Sequence, residues 1–139
     1  MDHDVREEKS AKEEILTISE LARLATETSS PAMRMLVRVG MEVLRRNAHG
    51  ARHFLAMADE ACKDEAERCY VLHIAAVFLF LLGDMHMAVE KAKASLDLCD
   101  PFGYRTLHAD VLSHMAAIYG ALGHAQLAAA YAVEAAKRS

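Results

Sequence analysis

Apolar residues along most of this chain recur three or four positions apart, the spacing that places them on one face of an α-helix. Short polar or glycine-containing breaks separate these segments, so neighbouring helices should pack antiparallel. We predict a single domain over residues 10–139, preceded by a charged, disordered segment at 1–9. Its seven helices would comprise an N-terminal helix and three helical hairpins. The predicted ranges are 10–30 for the first helix and 31–63, 64–100 and 104–139 for the hairpins.

Several predicted helix ends carry residues with a specific backbone role. Ser30 can cap a helix whose first residue is Pro31, because proline has no N–H to lose at that position. Residues 47–50 predict a turn before a helix that starts near Ala51. Gly83 follows an apolar segment and can adopt the left-handed conformation that ends a helix.

The last two predicted hairpins repeat one another at a fixed spacing, the distance from Leu72 to Leu112. Each copy reads as a helix, a glycine-marked turn and an alanine-rich helix. A single hairpin of this kind cannot bury its apolar face alone, so such copies stack on one another. The repeated residues are Leu72, Ala76, Leu82, Gly83, Ala88 and Ala92 in one copy and Leu112, Ala116, Leu122, Gly123, Ala128 and Ala132 in the next.

These two copies resemble tetratricopeptide repeats, whose unit is a helix-turn-helix of about 34 residues. The resemblance is carried by the turn sequence at 81–84, by small residues where helices cross, and by Tyr119 at an aromatic position of the family. It covers residues 68–139 well, 31–63 weakly and 1–30 not at all, and the longer spacing here resembles the long-helix variants of the family. The resemblance implies an all-α fold, a right-handed α-solenoid of about seven antiparallel helices.

The resemblance also implies a binding surface, because the first helix of each tetratricopeptide hairpin lines a concave groove. Some members hold a peptide C-terminus with Lys, Arg and Asn in that groove, and those residue types do not occur at the matching positions here. The aromatic and aliphatic residues present suit an amphipathic helix or an apolar peptide, unless Tyr70 and Phe80 simply pack against a neighbouring helix. The groove positions carried over by register are Tyr70, His73, Val77, Phe80, Asp110, Ser113, Ala117 and Gly120.

Composition and charge narrow the possible partners. The chain is 53% hydrophobic and has a formal net charge of −4, whereas nucleic-acid-binding domains carry a basic patch. Its longest apolar stretch, at 74–82, is too short for a membrane span, which needs about 20 residues. Three cysteines without metal-type spacing and a charged N-terminus favour a reduced, cytoplasmic protein. We therefore expect neither nucleic acid nor a membrane as partner.

Two pairs of residues four positions apart are candidates for metal chemistry: His49 with His53, and Cys69 with His73. Zinc requires three or four ligands, so we predict no metal and no cofactor at either pair. His73 could instead donate a hydrogen bond to a ligand or act as a switch near pH 6.5. Because the sequence lacks a phosphate-binding loop, a dinucleotide fingerprint and a nucleophile elbow, we predict that the protein is not an enzyme.

The sequence thus predicts a protein-interaction module or adaptor that binds a polypeptide segment in a partly apolar groove. One alternative is a regulatory adaptor that senses a small molecule or a peptide signal, and a further one is a His/Cys metal-binding protein. The last predicted helix is apolar on both sides around 128–136. Since a large exposed apolar face usually marks a contact with another molecule, we also predict a homodimer through the C-terminal hairpin.

Overall fold

The computed structural model describes residues 30–102 and 105–138, which form six α-helices and no strand. The all-α prediction is therefore confirmed for this part of the chain. The predicted helix at 10–30 and the predicted disordered segment at 1–9 lie outside the described residues, apart from Ser30. The helices are α1 (Pro31–Leu44), α2 (Ala48–Glu60), α3 (Glu65–Leu81), α4 (Met85–Phe102), α5 (Arg105–Ala121) and α6 (Ala125–Arg138).

The chain divides into two compact units, one ending at Ala61 and the other beginning at Cys62. In the first unit, α1 packs against α2. In the second, α3 packs on α4, α4 on α5 and α5 on α6, with a lighter contact between α3 and α5. Helices that follow one another in sequence are thus neighbours in space within each unit, as their short joins predict.

The start of α1 agrees with the sequence prediction. Ser30 has extended backbone angles, and its side-chain oxygen accepts a hydrogen bond from the Met33 N–H at 3.2 Å. Pro31 occupies the first helical turn, where its missing N–H leaves no hydrogen bond unmade. This cap fixes where the first hairpin begins.

The start of α2 differs from the prediction of a turn over 47–50. The helix begins at Ala48, because Asn47 acts as its cap: the Asn47 side chain accepts a hydrogen bond from the Gly50 N–H at 3.1 Å. The Asn47 amide nitrogen also donates to Glu42 Oε2 at 2.7 Å, which ties the cap to the end of α1. The residues that suggested a turn are therefore the first turn of the helix itself.

The two glycine-marked turns of the second unit have the same backbone geometry. Gly83 and Gly123 both lie in the left-handed region, with φ of 84° and 83°. After each helix the glycine N–H and the next N–H donate back to carbonyls of the last turn, the paired arrangement called a Schellman motif. The bonds are Gly83 to Phe80 at 3.0 Å, Asp84 to Leu79 at 2.9 Å, Gly123 to Gly120 at 3.1 Å and His124 to Tyr119 at 2.9 Å.

A buried cluster where α3, α4 and α5 meet contains Ala76, Ala92, Val111, Met115 and Tyr119. Ala76 and Ala92 are completely buried. Small side chains at such crossings let helix axes approach within about 8–10 Å. The larger side chains of α5 fill the space beside them. This core fixes which sides of α3 and α5 remain accessible.

Replacing Gly83 by alanine should lower the free energy of unfolding by about 1 kcal/mol, because an L-residue is strained at φ of 84°. An added Cβ there would meet no atom within 4 Å, so the effect isolates backbone strain. Gly120 is the matched control, since its Cβ would also be unobstructed but its backbone lies within α5. Urea denaturation should show that Gly120→Ala stabilises by about 0.5–1 kcal/mol. Equal effects of the two substitutions would contradict this explanation.

Candidate binding groove

The residues predicted to line the groove from α3 form the accessible stripe of a largely buried helix. Tyr70, His73, Val77 and Phe80 are all partly exposed, whereas every α3 residue between them is buried. Their spacing of three and four positions places them along one helix face. We call these four residues the α3 stripe. The buried residues on the other sides of α3 hold the helix in place and leave the stripe accessible.

The corresponding residues of α5 are also accessible. Asp110, Ser113, Ala117 and Gly120 are exposed, while the helix buries its opposite side. Asp110 and Ser113 border a depression of about 310 Å³ between α5 and α6. These two polar residues thus lie on the side of α5 nearer to α6. The other lining residues of the depression are Ala109, Ala116, Ala132, Ala135 and Ala136.

His114 joins the α5 surface to the α3 stripe, a role that was not predicted from the sequence. Its ring lies edge-to-face against Phe80, with centroids 5.4 Å apart, and against His73, with centroids 6.2 Å apart. We call these three residues the histidine seam. The available sequence signal was the place of His114 directly after Ser113, a groove position by register.

The histidine seam holds buried polar atoms without hydrogen-bond partners in the described part of the chain: Nδ1 of His73 and both ring nitrogens of His114. Burial lowers the pKa of His73 from 6.5 to about 4. Burial also lowers the pKa of His114 to about 4, helped by the neighbouring His73. Both rings are therefore neutral at pH 7, and each offers one donor and one acceptor.

An unmade hydrogen bond at a buried donor or acceptor costs about 1–3 kcal/mol. Native proteins contain few such groups, and each one calls for a physical reason, such as a role in a functional site. The accessible surface beside the two imidazole rings is apolar and aromatic, contributed by Val77 and Phe80. The arrangement therefore places buried polar ring atoms without hydrogen-bond partners directly beside an accessible apolar surface.

The two candidate metal pairs have different surroundings. His49 and His53 both lie in the first two turns of α2, and both are exposed. Cys69 is directed to α4, with its sulfur 3.4 Å from the Ser95 carbonyl oxygen, whereas His73 faces His114 on α5. Among the described residues, no group of three or more His, Cys, Asp or Glu side chains is placed to hold a metal ion.

Comparison with known protein families, curated proteins and solved structures finds no match to this chain. Across residues 30–102 and 105–138, no helix is both long enough and apolar enough to cross a bilayer. Support for a function therefore comes from the residues and geometry of the chain itself.

Proposed function

We propose that this chain is a non-catalytic, cytoplasmic interaction module of the tetratricopeptide type. In this proposal the helices α3–α6 are two repeats of a right-handed solenoid, and the α3 stripe with the histidine seam is its binding groove. The groove takes a polypeptide segment of a partner protein. The repeat is supported by the two turns at Gly83 and Gly123, which lie at equivalent positions of the two copies and have the same backbone geometry.

The observation that carries the proposal is the accessible stripe on α3, where every other residue between Tyr70 and Phe80 is buried. From Tyr70 to Phe80 the stripe runs about 15 Å at the rise of an α-helix, which matches a bound helix of two to three turns. Such a helix would place apolar side chains three to four positions apart on Val77 and Phe80. Its polar groups could pair with ring nitrogens of the seam.

An elongated, open stripe favours a polypeptide over a small molecule. Small ligands usually bind in concave cavities that bury most of their surface. Here the four partly exposed residues, His73 among them, are spread along three turns of one helix, and the His114 ring of α5 lies beside His73. A peptide signal would fit the same surface, so peptide sensing is a variant of the proposed function.

We propose also that a second copy of the chain covers α6. Leu122, Leu127 and Val133 are 43%, 42% and 53% exposed, which is high for large apolar side chains. The repeat explains why this face is open: Ala92 is completely buried beneath α5, whereas Ala132, its equivalent in the second copy, is exposed on α6. A two-fold contact between two α6 faces would cover both at once.

A paired pull-down from the native host tests the groove separately from self-association. We expect Phe80→Glu to abolish capture of the partner, because it places a charge on the apolar wall. The matched control is Val133→Glu, which makes the same kind of change at an exposed apolar residue of α6. That variant should capture the partner like the wild type.

Light scattering on the same proteins tests the homodimer. The wild type and Phe80→Glu should have the mass of two chains, and Val133→Glu the mass of one. A wild-type mass of one chain at high concentration would refute the dimer and leave the groove proposal standing. Equal capture of the same partner by folded Phe80→Glu and wild type would refute the groove.

A further inference from the structure

Two cysteine sulfurs meet in the buried contact between α3 and α4. The Sγ atoms of Cys69 and Cys99 are 2.9 Å apart, and both residues are completely buried. They are thiols in the structure, not a disulfide. Their separation is shorter than ordinary contact between two sulfur atoms and approaches the disulfide bond length of about 2.05 Å.

Two hydrogen bonds between Cys69 and Ser95 join the two helices beside the sulfur pair. The Ser95 hydroxyl donates to the Cys69 carbonyl oxygen at 2.8 Å, and Cys69 Sγ donates to the Ser95 carbonyl oxygen at 3.4 Å. Ser95 lies one turn before Cys99 on the same face of α4. The approach of the two sulfurs is therefore set by the packing of α3 on α4 and not by one flexible side chain.

The distance argues against a metal held between the two sulfurs. Two thiolates bound to one zinc ion at about 2.3 Å in tetrahedral geometry are about 3.8 Å apart. The described residues also supply no third His, Cys, Asp or Glu for such a site. The pair is placed for a covalent bond between the sulfurs.

We propose that Cys69 and Cys99 are a redox-active pair that forms a disulfide across α3 and α4. With oxidised glutathione as the oxidant, the Cys69 thiolate attacks one glutathione sulfur and displaces a glutathione thiolate. The Cys99 thiolate then attacks the Cys69 sulfur of this mixed disulfide and displaces the second glutathione thiolate. Two protein thiols are oxidised, one glutathione disulfide is reduced, and the two protons end on the released glutathiones.

Both thiols are buried, so the oxidant reaches them when α3 and α4 separate locally or before the chain has folded. Because the two cysteines are far apart in sequence, the bond closes a long loop and restricts the unfolded chain. Since Cys69 directly precedes Tyr70, the bond also fixes the first half of α3 against the end of α4. This inference is independent of whether the groove binds a polypeptide.

The test uses the Cys62→Ser variant, in which Cys69 and Cys99 are the remaining cysteines. The protein is equilibrated in reduced and oxidised glutathione, trapped with N-ethylmaleimide in guanidinium chloride, and weighed by intact mass spectrometry. We expect a monomer that is lighter than the reduced chain by two hydrogen atoms and takes up no maleimide. Its Tm should exceed that of the reduced form by about 10 °C or more.

The control adds Cys99→Ala to the same background. It should form at most a single glutathione adduct, and its Tm should not rise with the oxidant. Uptake of two maleimides by Cys62→Ser at every glutathione ratio would overturn the proposal, as would glutathione adducts or intermolecular dimers in place of the internal bond. If Cys99→Ala does not fold, the mass result for Cys62→Ser alone decides.

Discussion

Acidification from pH 7 to pH 5 should lower the free energy of unfolding by about 2 kcal/mol for each histidine of the seam, His73 and His114. In the unfolded chain each ring has a pKa near 6.5, but in the folded protein burial lowers the pKa to about 4. At a pH between these two pKa values, the unfolded state binds protons that the folded state does not bind. The contribution of the two neutral rings to the free energy of unfolding is therefore fully present above pH 6.5. It decreases as the pH drops towards 4 and changes no further below that pH.

Urea denaturation across this pH range measures the effect. In His114→Leu the decrease between pH 7 and pH 5 should be about half that of the wild type, since one buried imidazole is gone. His86→Leu serves as the control because the His86 side chain is 89% exposed on α4, and it should keep the wild-type dependence. A wild type equally stable at pH 7 and pH 5, or a full decrease retained in His114→Leu, would show that these rings are not the cause.

The second large effect concerns the core beneath the stripe. Phe78→Ala should lower the free energy of unfolding by about 3–5 kcal/mol, because Phe78 is completely buried and its truncation leaves a cavity. Such a loss is a large part of the roughly 5–15 kcal/mol typical of a folded domain. Thermal denaturation followed by circular dichroism would measure it, with an expected decrease in Tm of about 10 °C or more.

Phe80→Ala is the matched comparison, with the same substitution two positions away on the same helix. Phe80 is partly exposed, so we expect a loss of about 1 kcal/mol. Its effect on partner capture should be large, since it removes the aromatic wall. Similar losses of stability for both substitutions would show that the two sides of α3 are not divided into core and groove.

The features that could be predicted from the sequence are those that depend on local chemistry. The Ser30 cap and the left-handed glycines at 83 and 123 follow from backbone requirements that few residues meet. The four positions of the α3 stripe were assigned by register from the resemblance to tetratricopeptide repeats, and the structure places them, partly exposed, along one face of α3. Tyr70 and Phe80 keep partial exposure on that stripe.

Features that depend on how helices pack could not be predicted in the same way. To predict the histidine seam, one would have to know which side of α5 packs against α3. The residues around His73 and His114 in the sequence do not indicate that side. The contact between Cys69 and Cys99 joins residues far apart in sequence and depends on the packing of α3 on α4. The start of α2 was misplaced because Asn47 suits a turn and a helix cap equally well.

The most direct test of the proposed groove is site-specific photo-crosslinking in the native host. A photo-reactive phenylalanine analogue replaces Phe80 in one variant and Met57, an exposed residue of α2, in another. We expect irradiation to join a discrete heavier polypeptide to the chain from position 80 and not from position 57. Its identity follows from mass spectrometry of the adduct. No adduct from position 80, or the same adducts from both positions, would contradict the claim that this stripe is a polypeptide-binding groove.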